Sequence, residues 1–192
     1  MDENFSELST SNKITFFLKK NLKKIYFFVF LILLSIFLFI FYSNYNLNKN
    51  KKISDQFNKA NIMIMNNNKD NAKLMLINII NSKNKFYSPL ALNSLIDNEL
   101  ISNNEEIIIY FDFIIKELGL DSDKKDLIIF KKAIFLSNFD KENAIERTLN
   151  PIIKSNSPVR NNAIKFLIKY YEGNGNQKKV EEYLDLLKKN SN

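Results

Sequence analysis

The chain has no cysteine, no histidine and no tryptophan, and only three glycines and three prolines in 192 residues. Without cysteine there is no disulfide, thiol nucleophile or zinc finger. Without histidine there is no imidazole base, no Ser-His or Cys-His pair and no His-ligated metal. The missing cysteine suits either side of a bacterial membrane, so it leaves the compartment open. Scarce glycine and proline speak against glycine-rich phosphate loops and against folds built on β-turns. Arginine is scarce too, with only Arg147 and Arg160 among 28 basic residues. The net charge is +7, of which the first 24 residues carry +2 and the other 168 carry +5. An excess spread so thinly reads as solvated surface, not as the clustered footprint of a nucleic-acid binder.

What is present is concentrated first in one place. Residues 25–42, IYFFVFLILLSIFLFIFY, are apolar apart from Ser35. As a helix this run reaches about 27 Å, close to the ~30 Å of a hydrocarbon core. Its Leu, Ile, Phe and Val residues together favour insertion by about 5 kcal/mol. Tyr26, Tyr42 and Tyr45 sit at its ends, where amphipathic rings suit the headgroup region. A cleaved signal peptide would have a shorter apolar core and a small-residue cleavage site. Here the run ends in Tyr42-Ser43-Asn44-Tyr45. A buried core helix would show a polar face, and this run has none. The expectation is an uncleaved membrane helix anchored by Ile25, Tyr26, Phe30, Leu34, Leu38 and Tyr42. Lys13, Lys19, Lys20, Lys23 and Lys24 precede it; Lys49, Lys51, Lys52 and Lys59 follow. The positive-inside rule then favours a cytoplasmic N-terminus by a narrow margin. The C-terminal part would lie in the periplasm of a two-membrane bacterium, with the anchor in the inner membrane. The expected divisions are a basic cytoplasmic tail over 1–24, disordered to about residue 17, a membrane helix over 25–42, a linker over 43–50 and a helical domain over 51–192.

Beyond residue 50 apolar residues recur at spacings of three and four, with no sustained alternation, so the domain reads as all-α. Comparing the chain with itself reveals a repeat. An apolar residue followed by others 12, 16 and 19 positions later occurs four times. The sets are Ala60, Ala72, Leu76, Ile79; Leu95, Ile107, Phe111, Ile114; Ala133, Ile145, Leu149, Ile152; and Ile168, Val180, Leu184, Leu187. Successive sets are offset by 35, 38 and 35 residues. A polar break divides each set, and each break holds an N-cap candidate for the helix that follows: Asp70, Asn104, Asp140 and Asn176. Ser88-Pro89 and Ser157-Pro158 suit the N-cap and first helical position of two further helices. Gly119 suits a helix C-terminus, and Pro151 should kink or shorten the helix that contains it. The pattern predicts four helix–turn–helix units of about 35 residues.

Period and residue types resemble the tetratricopeptide repeat, a right-handed solenoid of helix pairs with a 34-residue unit. Ala60, Ala72 and Ile79 fall where helices must approach, and Leu76, Phe111, Leu149 and Leu184 fall at the large apolar position. No unit opens with tryptophan, Leu95 and Ile168 replace a small residue, and Ile107 replaces alanine, so these are degenerate, TPR-like units. The layout from Leu18 to about Leu187 is similar to the YfgM-type ancillary subunits of the Sec translocon. The matching pieces are the Lys-rich flank with its apolar run, Phe86-Tyr87-Ser88-Pro89-Leu90-Ala91, Asp126-Leu127-Ile128, Leu149-Asn150-Pro151-Ile152 and Ser157-Pro158-Val159-Arg160-Asn161-Asn162-Ala163. That resemblance implies a scaffold beside Sec translocon subunits and a periplasmic chaperone, handling newly exported proteins.

As an interaction scaffold, the chain would present a concave surface to a protein partner, lined by Asn61, Asn98, Lys132 and Tyr171 unless these are ordinary surface. A related alternative is an adaptor for another envelope or cytoplasmic complex. An enzyme would draw on Glu105/Glu106, Asp121/Asp123 or Glu181/Glu182, but residues adjacent on a helix diverge and do not face each other across a cleft. Gly173-Asn174-Gly175 lacks the strand a nucleotide loop follows and reads as a turn. The expected reading is non-catalytic: protein partners and a membrane, no cofactor, no metal, no nucleic acid and no small-molecule substrate.

Overall fold

No glycine or proline interrupts the sequence before Pro89, so nothing in the N-terminal third forces a helix to stop. The computed structural model describes residues 10–139 and 142–188. Its first element, α1, runs unbroken from Thr10 to Met65. Residues 10–17, expected to be disordered, are therefore helical, and so is the expected linker over 43–50. Polar Asn-Lys stretches lack core contacts but are not helix breakers. The chain divides into two units between Lys52 and Ile53.

In the first unit α1 carries the apolar run. Every side chain from Tyr26 to Tyr42 is exposed, including Phe30, Leu34 and Leu38. The side chains of Ile25 and Tyr45 lie outside the described residues. A helix that is apolar all round and covered by nothing has no face suited to water. It is the one helix, among the described residues, long and apolar enough to cross a membrane.

The second unit holds the end of α1 and seven further helices. They are α2 (Lys69–Asn81), α3 (Tyr87–Asp97), α4 (Asn104–Glu117), α5 (Ser122–Ser137), α6 (Glu142–Ile153), α7 (Arg160–Gly173) and α8 (Gln177–Lys188). No strand occurs among the described residues. From α2 onward each helix packs chiefly on its neighbours in the chain. The end of α1 joins α3 through the Phe57 and Tyr87 rings, 5.8 Å apart. Two apolar cores result. One runs from Ile53 to Phe135 and the other from Ala133 to Tyr183. Helix α5 serves both, with Ile128 and Phe135 in the first and Ala133 and Leu136 in the second.

The four sets fall on successive helix pairs, and fourteen of their sixteen residues are buried: Ala60, Ala72, Leu76, Ile79, Leu95, Ile107, Phe111, Ile114, Ala133, Ile145, Leu149, Ile152, Ile168 and Val180. Leu187 is half-buried against the second core. Leu184 departs, at 38 % exposed. Its neighbour Tyr183 is buried instead, because its ring stacks on Tyr171 with centroids 5.9 Å apart.

The turns show how the helices stop. Asn67, Lys83, Glu99, Gly119 and Gly175 all adopt positive φ, each two residues beyond a helix end. After α1, α3 and α7 the backbone closes in the Schellman pattern. Asn68 N–H donates to Met63 O, Leu100 N–H to Leu95 O and Asn176 N–H to Tyr171 O, at 2.8, 2.9 and 2.9 Å. The N-caps sit close to where the sequence put them. Asn103 caps α4, leaving Asn104 as its first residue, and Asn68 precedes α2 with Asp70 in its first turn. Asn176 accepts from Lys179 N–H at the start of α8. Asp140 lies outside the described residues.

Ser88 is not the N-cap its Ser-Pro pairing suggested. It lies inside α3 and is fully buried, and its hydroxyl donates toward Ile79 O and Ile80 O at the end of α2. Asn84 performs the capping in its place, accepting from Phe86 and Tyr87 N–H. Ser157 departs in the other direction: Val159 holds the N-cap position of α7, and Ser157 stands two residues before it, accepting from Val159 N–H. Pro151 lies within α6, which ends two residues later.

Candidate functional site

The four residues expected to line a partner groove do not share one environment. Asn61 lies half-buried on α1, with its Oδ1 accepting from the Ser94 hydroxyl of α3 at 3.4 Å. Asn98 closes the end of α3, donating to Ser94 O at 2.9 Å. Lys132 projects from α5 to Asp112 of α4, at 2.8 Å, and its side chain is mostly covered. Tyr171 does not belong with them. It is 1 % exposed and sits in the second core. Its spacing put it on the polar side of α7, but α6 and α8 close over that side and supply it with a partner.

That partner is Glu146. Its Oε1 accepts from the Tyr171 hydroxyl at 2.7 Å, the Tyr183 hydroxyl at 2.9 Å and the Lys179 ammonium at 2.9 Å. One carboxylate oxygen of α6 thus ties α7 and α8 together. Burial pushes the Glu146 carboxyl up, but Lys179, Tyr171 and Tyr183 together outweigh it and hold it below the ordinary carboxylate range. The two phenols move the other way. Burial and then the carboxylate raise Tyr171 and Tyr183 well above their usual range. Glu146 also raises the Lys179 ammonium against a smaller desolvation effect. The cluster is a carboxylate held ionised and two phenols held neutral. A general acid needs the opposite shift.

Beside this cluster lies a cleft of about 510 Å³ between α6 and α8. Both arginines of the chain line it, together with Lys154 and Lys179. A second cleft, of about 360 Å³, lies where α4, α5 and α6 meet and is lined by Lys132, Leu136, Ala144 and again Arg147. The arginines were visible in the sequence as a rarity. Nothing in their spacing said that they meet.

The carboxylate pairs singled out from the sequence have local duties. Glu105 and Glu106 lie in the first turn of α4, where negative charge complements the helix dipole. Asp121 caps α5 by accepting from Lys124 N–H at 3.0 Å, with Asp123 in the first turn. Lys124 Nζ also reaches Asp121, and these hydrogen bonds lower the Asp121 carboxyl. Glu181 accepts from Gln177 and Glu182 pairs with Lys179, both on α8. Gly173 ends α7, and Asn174-Gly175 form the turn to α8. No group of three or more acidic side chains could hold a metal ion among the described residues.

The chain matches no protein-family model, and neither the curated proteins nor the solved structures contain a match to it.

Proposed function

We propose that the chain is a non-catalytic, membrane-anchored scaffold whose helix pairs form a right-handed, TPR-like solenoid that holds protein partners. The observation that carries this reading is the fourfold recurrence of core positions on successive helix pairs, in a chain that also bears an uncovered apolar helix. Two bonds at a spacing of 34 residues agree with it. Lys83 pairs with Glu117 at 2.8 Å and Lys85 Nζ donates to Gly119 O at 2.6 Å. They tie the turn after α2 to the turn after α4, as successive units of one length require.

The apolar run of α1 is the anchor in this reading, with the N-terminus cytoplasmic and the helix pairs periplasmic. The resemblance to YfgM-type subunits supplies the partners: Sec translocon subunits and a periplasmic chaperone, in the handling of exported proteins. The partner surface lies on the end of α1 and on α3, α5 and α7, and includes Asn61, Asn98 and Lys132.

Site-specific photo-crosslinking in native membranes tests this, with probes along those helices and mass spectrometry of the adducts. Adducts with translocon subunits or a periplasmic chaperone are expected. Adducts only with cytoplasmic proteins would overturn both the topology and the partner assignment. Adducts with other envelope proteins would keep the scaffold and replace its partners.

A further inference from the structure

In this chain 28 residues are basic and two of them are arginine. Both arginines line the one cleft between α6 and α8. Each is fixed through one nitrogen. Arg147 Nε donates to Asn143 O at 2.9 Å, one turn back on α6, and Arg160 Nε donates to Ile153 O, at the end of α6. A guanidinium held at Nε keeps its terminal Nη groups for a forked pair of bonds to an oxyanion.

The charge balance of the cleft points the same way. Glu146 and Glu182 line it, but both pair with Lys179, at 2.9 and 3.3 Å. No carboxylate among the described residues pairs with Arg147, Lys154 or Arg160. Lys179 neutralises one of the two carboxylates, so the lining as a whole carries a net charge of +2, with Arg147, Lys154 and Arg160 free of a carboxylate partner among the described residues. The same cleft has an apolar wall of Ile153 and Leu186. Its volume, about 510 Å³, falls within the ~300–1,000 Å³ of small-molecule sites.

We infer that the α6–α8 cleft binds a phosphate monoester carried on an apolar group. Such a group brings about −1.5 to −2 charges and three strong acceptor oxygens, which match a lining of net +2 better than a single carboxylate does. The apolar group would lie along Ile153 and Leu186. This binding is separate from the scaffold reading and requires no turnover. The phosphate could belong to a lipid headgroup or to a soluble ester, and the test distinguishes them.

Two arginines make the test direct. The full chain in zwitterionic micelles, labelled with ¹⁵N-arginine, shows two side-chain Nε–H signals. Hexyl phosphate, inorganic phosphate and hexanoate are titrated at constant ionic strength. Both signals should shift along one saturating curve with hexyl phosphate, at a concentration at least about tenfold below that needed for either other probe. R147Q should weaken the response of the Arg160 signal about tenfold or more and R147K by less, with helix content unchanged by circular dichroism. K124Q, the same charge change on α5, should leave the response as it was. Hexanoate saturating as readily as hexyl phosphate would overturn the proposal in favour of a peptide-type carboxylate. Shifts that never saturate, or that K124Q weakens as much as R147Q, would overturn it in favour of an ordinary basic surface. Micelles doped with phosphatidic acid separate the sources. Signals already displaced before any probe is added assign the site to a lipid headgroup; displacement only by hexyl phosphate assigns it to a soluble ester.

Discussion

Glu146 accepts three hydrogen bonds on one oxygen from two other helices. Bonds to a charged group contribute about 1.5–3 kcal/mol each, and a buried partner left unmatched costs about 1–3 kcal/mol. Glu146→Gln should therefore destabilise the helical domain by about 1–3 kcal/mol in urea unfolding, and Tyr171→Phe by about 1–2 kcal/mol. The pH dependence follows from the direction of the shifts. The native Glu146 carboxyl lies below its unfolded value, which is near 4.3. Its contribution is fully present above that value and is lost as pH falls through the native one. Glu146→Gln should flatten the acid limb of the stability profile. Tyr171 and Tyr183 are raised, so their contribution is intact below about pH 10 and lost as pH rises beyond it. Two leucines of the repeat offer a contrast at the same scale. Leu149 is fully buried and Leu184 is 38 % exposed. Leu149→Ala should cost about 2–5 kcal/mol, and Leu184→Ala within about 0.5 kcal/mol of nothing. Equal losses would mean that α8 packs in the register the sequence pattern suggested.

Helix ends set the spacing of the elements. Each of five helices turns through a left-handed residue, and three of the five are not glycine. A side chain in that conformation costs about 1–2 kcal/mol, part of which glycine gives back through the entropy of the unfolded chain. Glu99 is exposed, at φ 51, with its backbone already in a Schellman turn. Glu99→Gly should stabilise the domain by about 0.5–1 kcal/mol and raise its Tm by about 2–4 °C in a calorimetric scan. Ser88 works between elements. Its buried hydroxyl donates to two carbonyls at the end of α2, so Ser88→Ala should cost about 1 kcal/mol. A surface N-cap with no tertiary role would respond equally to Thr; a buried donor in a packed core should tolerate Thr poorly.

At the scale of the whole molecule the two units differ in what covers their apolar residues. The helical domain buries its repeat core and leaves only scattered apolar side chains such as Leu74, Phe86 and Ile109 exposed, while the run over residues 26–42 has no cover at all. On the proposed reading a bilayer provides it. A charge at the centre of such a helix costs about 2.5–3.5 kcal/mol on insertion. Leu34→Asp should therefore move a measurable share of the chain from the carbonate-resistant membrane fraction to the extractable one. Deleting residues 26–42 should release all of it. Retention after the deletion would place the anchoring elsewhere in the chain.

Helix identity and most of the core were legible in the sequence alone. Spacings of three and four mark an apolar face through geometry local to each helix, so fourteen of the sixteen repeat positions are buried where the pattern put them. The all-apolar character of the run was equally local. Periodicity says which face of a helix is apolar, but not what packs against its edges. Tyr171, on a nominally polar side of α7, therefore became core once Glu146 gave its hydroxyl a partner. Ser88, read as a cap, became a tie between helices. Leu184 lost its place to Tyr183 because ring stacking set the rotation of α8. Gly and Pro, scarce in the chain as a whole, are absent before Pro89, and that local absence lets α1 run through both the expected tail and the expected linker. The α6–α8 cleft belongs wholly to the tertiary structure. Arg147 and Arg160 stand on different helices, and only the packing of α6, α7 and α8 brings their charges into one concavity while Lys179 occupies the nearby carboxylates. Charge acquires meaning from its neighbours in space, and a linear sequence does not rank those.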